Sequence, residues 1–308
     1  MAKIHKQDVQ TQKCPVAIAK IVVLGDFSNE RLRQGELKEF MTVKFGMIGG
    51  GVMGEAILSR LLREKIYAPT EVMVSDPAQA RRDYLQQEYQ VQVTVDNARA
   101  AIASEVLLLA IKPQIFTRVT AELNEKNLLD RPLILSILAG VTLEKLAKGF
   151  TGYPIVRVMP NTPAIVGQGM TAIAPSDLVS PEQVELAKTI FSAVGQVVEV
   201  PESLMDAVTG LSGSGPAFVA LMIEALADGG VASGLPRNIA QQLALQTVRG
   251  TVELLQDSGL HPAQLKDRVT SPGGTTIAGV ATLEAHGFRS SVIEAVKAAK
   301  QRSEELGQ

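Results

Sequence analysis

Three glycines, Gly49, Gly51 and Gly54, stand in "VKFGMIGGGVMGEAILSRLL" as G-x-G-x-x-G, where a strand-like run turns into a helical one. That spacing suits a dinucleotide. The first glycine permits a tight turn, the second lets a pyrophosphate approach the backbone, and the third lets helix and strand pack closely. Val52 and Met53 lie between the last two, at a helix N-terminus whose free N–H groups and dipole attract phosphate. Asp76 follows about 20 residues on, at the end of the next strand-like run, where a carboxylate accepts hydrogen bonds from an adenosine ribose and favours NAD. Arg81 and Arg82 come soon after and suit the 2′-phosphate of NADP instead. Asp76 is equally placed to cap a helix starting at Pro77, so the choice between NADP and NAD stays open.

Farther along, "LLLAIKPQ" sets Ala110, Lys112 and Pro113 at the end of a fourth strand, on the carboxyl edge where open sheets bind ligands. Asn97 precedes the short helix that enters that strand. A solvated strand-end lysine and a turn asparagine are the plainer readings of Lys112 and Asn97, and they stand beside the cofactor reading. Two loops, "TGLSGSGPA" (Thr209 to Ala217) and "VTSPGGTTIAG" (Val269 to Gly279), combine hydroxyls with glycines and open onto helices. Exposed N–H groups there suit a carboxylate or phosphate, although close helix crossings use the same residue types. A serine nucleophile is not expected, because "GLSGSGP" does not give G-x-S-x-G and no histidine is near it in sequence.

The reaction is narrowed by what is missing. Reducing a ketone with a nicotinamide calls for a proton donor such as Lys, His or Tyr. Between Met205 and Leu265 there is no lysine or tyrosine, and the one histidine, His261, precedes Pro262 and reads as a helix start. An iminium carries its own proton, so the pattern favours C=N over C=O reduction.

These groups need a frame. From 43 to 200, short aliphatic runs alternate with helical ones, which predicts a mostly parallel sheet with helices on both faces. Strands are expected at Val43–Ile48, Glu71–Ser75, Val91–Val93, Glu105–Ile111, Pro132–Leu138, Ile155–Met159, Met170–Ala174 and Gln196–Val200. Helices are expected at Val52–Glu64, Pro77–Glu88 and 181–194, the last with Ser180 and Gln183 as a capping box and Gly195 as its end. The fold class is α/β: a Rossmann-type NAD(P)-binding domain over 41–202, then an all-helical substrate-binding and dimerisation domain over 203–308. Its helix "PAFVALMIEALADGGVA" is apolar almost all round and calls for a second subunit as cover, so a homo-oligomer is expected.

Composition bounds the partners. The chain has 308 residues, is 46% hydrophobic and has a net charge of -2, with no basic run to attract nucleic acid or an anionic membrane. One cysteine, Cys14, excludes an internal disulfide and a multi-thiolate metal site, so no metal is expected and a reducing cytoplasmic setting is. No apolar run is expected to reach the roughly 18 to 20 residues that span a bilayer. Residues 1–40 have mixed charge and poor hydrophobic period. They read as an extension outside the fold, lying upstream of a functional start at Met41 or forming a weakly ordered tail, with targeting as the remaining reading.

The motifs together resemble pyrroline-5-carboxylate reductase. "GMIGGGVMGEAI", "LLLAIKPQ", "SILAGVTLEKL", "VRVMPNTPAIVGQGMTAI", "DAVTGLSGSGPAFVALMIEALADGGVASGLPR" and "HPAQLKDRVTSPGGTTIAGVATLEAHGFRSSVIEAV" run in the family's register from about Val43 to Glu305, and the last two are highly specific. The resemblance implies NAD(P)H-dependent reduction of 1-pyrroline-5-carboxylate to L-proline, the last step of proline biosynthesis, by a cytoplasmic oligomer built on a helical dimer. It implies that backbone amides of Ser271 to Thr275, including Gly273 and Gly274, bind the substrate carboxylate, and that the Thr276 hydroxyl faces the ring nitrogen. Met159 to Thr162, including Asn161, would meet the nicotinamide, with Ser214 and Thr209 close by. Two positions depart from the family pattern. Val52 stands where asparagine is common, and Asp76 stands where many members carry serine, which weakens an assumed NADPH preference. The other readings are a hydroxyacid dehydrogenase of similar layout, which would need a catalytic lysine that the stretch from Met205 to Leu265 lacks, and a catalytically inactive nucleotide-binding regulator.

Overall fold

The computed structural model describes residues 43–125 and 131–307. The expectations for residues 1–40 lie outside the described residues.

In chain order the first part runs β1 (Phe45–Ile48), α1 (Val52–Arg63), β2 (Val72–Ser75), α2 (Gln79–Tyr89), β3 (Gln92–Thr94), α3 (Asn97–Ala101) and β4 (Val106–Leu109). It continues through α4 (Phe116–Glu125), β5 (Leu133–Ser136), α5 (Leu143–Gly149), β6 (Ile155–Met159), β7 (Gly169–Pro175), α6 (Pro181–Ser192) and β8 (Gly195–Glu199). The strands form one sheet in the order β3-β2-β1-β4-β5-β6-β7-β8, parallel throughout except for the antiparallel pair β6–β7. This is the doubly wound order, and the chain reverses direction across the sheet between β1 and β4.

Every residue of β1, β2, β4 and β5 is buried. That explains why these strands read as continuous aliphatic runs instead of alternating ones. Alternation appears only in which face a residue serves: Val106 and Leu108 pack with Leu58, Leu61 and Phe191, while Leu107 and Leu109 pack with Phe116 and Phe150 on the other side.

Two helix boundaries differ from expectation. Helix α2 starts at Gln79, not Pro77, because Ala78 stays extended and its N–H donates to Asp76 Oδ1 at 2.9 Å. Helix α6 stops at Ser192, and Gly195, with φ +147°, opens β8. Its start is as expected: the Gln183 N–H donates to Ser180 Oγ at 3.3 Å and the Ser180 N–H to Gln183 Oε1 at 3.0 Å.

After β8 the described chain is helical: α7 (Met205–Val208), a π-turn (Thr209–Gly213), α8 (Gly215–Ala232), α9 (Arg237–Ser258), α10 (Pro262–Arg268), α11 (Thr275–Ala285) and α12 (Phe288–Gly307). His261 caps α10, its Nδ1 accepting from the Ala263 N–H at 3.2 Å, which is the helix-start role its sequence context suggested. Helix α8 packs on α9 around Ala227, Ala240 and Ala244, and α12 packs on α7 and the π-turn. Much of the remaining apolar surface, including Leu221, Leu243 and Ile293, faces outward. One expectation is corrected here. The continuous helical run Glu202–Ala232 is long and apolar enough to cross a membrane by length and composition, with one 18-residue stretch of mean hydropathy 1.4. Its serines and glycines interrupt the apolar residues in sequence but leave that one stretch hydrophobic on average.

Candidate active site

Gly49 sits at φ +99°, and a Cβ there would lie 2.5 Å from the Ala110 carbonyl oxygen, so both conformation and space demand glycine. Gly54 meets a similar limit, 2.6 Å from the Gly49 carbonyl oxygen, where α1 crosses the loop. Gly51 differs: a Cβ there would meet nothing within 4 Å. That open space lies at the N-terminus of α1, where the first helical bond runs from the Glu55 N–H to the Gly51 carbonyl. The N–H groups of Val52, Met53 and Gly54 therefore lack helical partners. The arrangement fits a pyrophosphate above Gly51.

The strand order carries the other candidates to the same edge. Gly49, Asp76, Ala110 with Lys112 and Pro113, and Met159 with Asn161 and Thr162 all lie at or just past the carboxyl ends of β1, β2, β4 and β6, which point the same way. The 3₁₀ turn Thr162–Val166 packs against α1, so the glycine loop and the β6 end are neighbours.

Several of these side chains are already engaged by protein. Asp76 Oδ2 accepts from the Gly50 N–H at 3.0 Å, which ties β2 to the glycine loop. As the boundary of α2 shows, Asp76 is not that helix's N-cap. Asn97 accepts from Ser75 Oγ at 2.8 Å and donates to Glu122 Oε2 at 3.0 Å. Asn161 Nδ2 donates to the Ser212 carbonyl at 3.2 Å, while its Oδ1 accepts from the Met170 N–H at 2.8 Å. That amide joins the β6 end, the start of β7 and the π-turn. Lys112 is exposed and has no ion pair among the described residues.

The π-turn brings the helical part to the sheet. The Ser214 N–H donates to the Thr209 carbonyl at 2.9 Å, a bond spanning one residue more than an α-helical one, and Thr209 Oγ1 donates to the Met205 carbonyl at 2.9 Å. Such bulges are frequent at functional sites. A Cβ on Gly213 would lie 2.6 Å from Met159 Cε, so the turn and the end of β6 touch. Ser214 is half-buried, and its hydroxyl makes no hydrogen bond among the described residues.

The second loop stands apart. Gly273 takes φ +67°, the Gly274 N–H donates to the Ser271 carbonyl at 3.1 Å, and Gly274 caps α11 without a side-chain bond. The first-turn N–H groups of Thr275 and Thr276 therefore lack helical partners. Among the described residues, no hydrogen bond joins Ser271–Thr276 to the glycine loop or the π-turn of the same chain.

Sequence reading missed a buried cation. Arg157, in the middle of β6, is buried with Glu202 Oε1 at 3.2 Å and Asp206 Oδ1 at 3.5 Å, and Ser303 Oγ donates to Asp206 at 2.7 Å. The signal was present in "IVRVM": an arginine inside an otherwise aliphatic strand needs carboxylates nearby. It also missed Glu55, which accepts from Tyr89 at 2.8 Å, Tyr84 at 3.0 Å and Arg81. Burial opposes the Glu55 charge, but these donors, Arg81 first among them, outweigh it and hold the carboxyl below its usual range.

Known proteins are similar to this chain in sequence and in fold. Residues 44–140 match the family described as NADP oxidoreductase, coenzyme F420-dependent, and residues 202–306 match pyrroline-5-carboxylate reductase dimerisation. A pyrroline-5-carboxylate reductase of Synechocystis sp. is 66% identical over 267 residues, covering 87% of this chain and 99% of the relative. The chain belongs to the pyrroline-5-carboxylate reductase family. Solved members of that family share its fold as well. The pyrroline-5-carboxylate reductase of Coxiella burnetii superposes with a TM-score of 0.81 at 34% identity, covering 87% of this chain and 99% of its own. The pyrroline carboxylate reductase of Plasmodium falciparum, solved with NADP bound, superposes with a TM-score of 0.78 at 32% identity, covering 86% and 98%. As a pyrroline-5-carboxylate reductase family member, the chain has a helical part, 202–306, that matches a dimerisation domain, and this accounts for apolar side chains left facing outward in the single chain.

Proposed function

We infer that this chain reduces 1-pyrroline-5-carboxylate to L-proline with NAD(P)H, the last step of proline biosynthesis, as a homo-oligomer in a reducing cytoplasmic setting. The observation that carries the mechanism is a dinucleotide cradle joined to a helical part rich in hydroxyls and free helix N–H groups but poor in general acids. Between Met205 and Leu265 that part has no lysine or tyrosine, and His261 is occupied as a helix cap.

The glycine loop, with the N–H groups of Val52, Met53 and Gly54, holds the pyrophosphate, and Asp76 stands at the adenosine end. Ala110, Lys112 and Pro113 border the middle of the crevice, and Met159, Asn161 and Thr162 border its nicotinamide end. When bound, the cofactor supplies the hydride that C5 of the substrate accepts. The chain's own groups bind and orient. Backbone N–H groups of Ser271 to Thr275, at the positive end of α11, hold the substrate carboxylate. Thr276 turns the ring by a hydrogen bond at its nitrogen, and Ser214 and Thr209 line the side facing β6. Because the iminium nitrogen already bears its proton, orientation replaces acid catalysis. The Ser271–Thr276 loop lies in the part of the chain that matches a dimerisation domain, which supports its serving the crevice of a second copy.

Oxidation of NADH or NADPH by the purified chain, followed by absorbance with 1-pyrroline-5-carboxylate as substrate and L-proline identified as product, tests this reading. Cofactor binding without turnover would leave the inactive-regulator reading standing.

A further inference from the structure

Four charged side chains crowd the adenosine end of the crevice: Glu55 in the first turn of α1, Asp76 after β2, and Arg81 and Arg82 in the first turn of α2. Their charges cancel. How they pair decides what the site can receive. Arg81 donates through Nε to the Gly50 carbonyl and through Nη2 to Glu55 Oε2, and its guanidinium lies 5.0 Å over the Tyr84 ring. Tyr84 and Tyr89 hydroxyls fill the other Glu55 oxygen. Arg82 Nη1 donates to the Asp76 carbonyl at 2.6 Å, and its Nη2 donates to Gln79. Each Asp76 oxygen takes one backbone N–H, from Gly50 and from Ala78, and retains lone pairs.

A ribose 2′-hydroxyl needs an acceptor, and Asp76 offers one. A 2′-phosphate needs donors and net positive charge, and the arginine closest to the glycine loop is held by another carboxylate. We propose that Glu55 is a specificity-determining residue: by tethering Arg81 to α1 it withholds the cation that a 2′-phosphate would use, and together with Asp76 it turns the site toward NADH. The proposal rests on the dinucleotide reading of the glycine loop.

Glu55→Gln keeps the shape, releases Arg81 and leaves the cluster with one net positive charge. The ratio of kcat/KM for NADPH to that for NADH should then rise about tenfold, the scale of one charge-assisted contact. Adding Arg81→Ala to that variant should return the ratio to the wild-type value. An unchanged ratio in Glu55→Gln, or a rise that survives loss of Arg81, overturns the proposal. Arg81→Lys alone, which keeps the charge and loses the guanidinium fork, provides a second reading should Glu55→Gln fold poorly. The ratio should stay within about twofold, because the arginine is withheld in the native enzyme, whereas a selective fall with NADPH would show Arg81 already on the phosphate and refute the tether. Gly51→Val separates the two levels. If it leaves KM unchanged for both cofactors, the glycine-loop reading fails. If KM responds and the Glu55→Gln ratio does not move, only the tether fails.

Discussion

Met159 and Gly213 meet at the seam between sheet and helices: a Cβ on Gly213 would lie 2.6 Å from Met159 Cε. The end of β6 and the π-turn are thus set at the distance of one missing methyl group. Two neighbouring glycines in the turn face different obstacles, which gives the first prediction.

Gly213→Ala pushes only against the flexible end of Met159, so the melting temperature should shift by no more than about 2 °C while kcat falls several-fold through a displaced β6 end. Gly210→Ala would instead place its Cβ 2.7 Å from the Val296 carbonyl oxygen and 2.9 Å from the Lys300 nitrogen, both backbone atoms of α12. It should cost about 1–3 kcal/mol or more, because helix α12 has to move. Thermal melts of the two variants at equal protein concentration check the contrast, and equal melting temperatures would remove the seam argument.

The glycine loop separates fold from binding in the same way. Gly51→Val has open space around it and an ordinary φ of -67°, so the protein should fold normally while the cofactor KM rises at least tenfold by obstruction of the pyrophosphate. Gly49→Val meets the Ala110 carbonyl at a left-handed φ and should yield little folded protein. Circular dichroism and steady-state kinetics distinguish these outcomes.

Arg157 is the buried pin between the sheet and the helical part. Arg157→Met leaves Glu202 and Asp206 without their cation, and loss of one partner from a buried pair costs about 3–5 kcal/mol. Both carboxylates keep some solvent, with side chains 32% and 25% exposed, so a loss of about 2–3 kcal/mol is expected. Urea unfolding at fixed protein concentration measures it, and a loss under about 1 kcal/mol would show the pin to be dispensable.

Thr276→Val keeps the side-chain shape and removes only the proposed contact to the ring nitrogen. Loss of one hydrogen bond to a charged group costs about 1.5–3 kcal/mol, or roughly ten- to a hundred-fold in kcat/KM. Unchanged kcat/KM takes Thr276 out of the site. A fall beyond about 10⁴-fold in a folded variant would mean that the hydroxyl transfers a proton.

The strands, the glycine turn between β1 and α1 and the fold class were legible in the sequence because each rests on local spacing. Buried parallel strands leave aliphatic runs, and a phosphate turn leaves glycines at fixed offsets. All eight strands fall within two residues of where their aliphatic runs stand. The highly specific blocks around "SGSGP" and "SPGGTT" carried the family, and with it the reaction.

Partnership was decided only by the tertiary structure. Asn97 read as a turn residue or a cofactor contact, and the resemblance set Asn161 beside the nicotinamide; in the fold their amides are held by Ser75 with Glu122 and by Ser212 with the Met170 N–H. Asp76 read as a ribose ligand or a helix cap, and the fold gave it the Gly50 N–H, 26 residues away in sequence. Glu55 and Arg81, separated by the same interval, form a pair that no local pattern announces. A hydrogen bond depends on where two atoms meet in space, and contacts across such an interval are set by how α1 and α2 flank the first two strands. Sequence spacing dictates the elements, and their packing selects which polar groups remain free for chemistry.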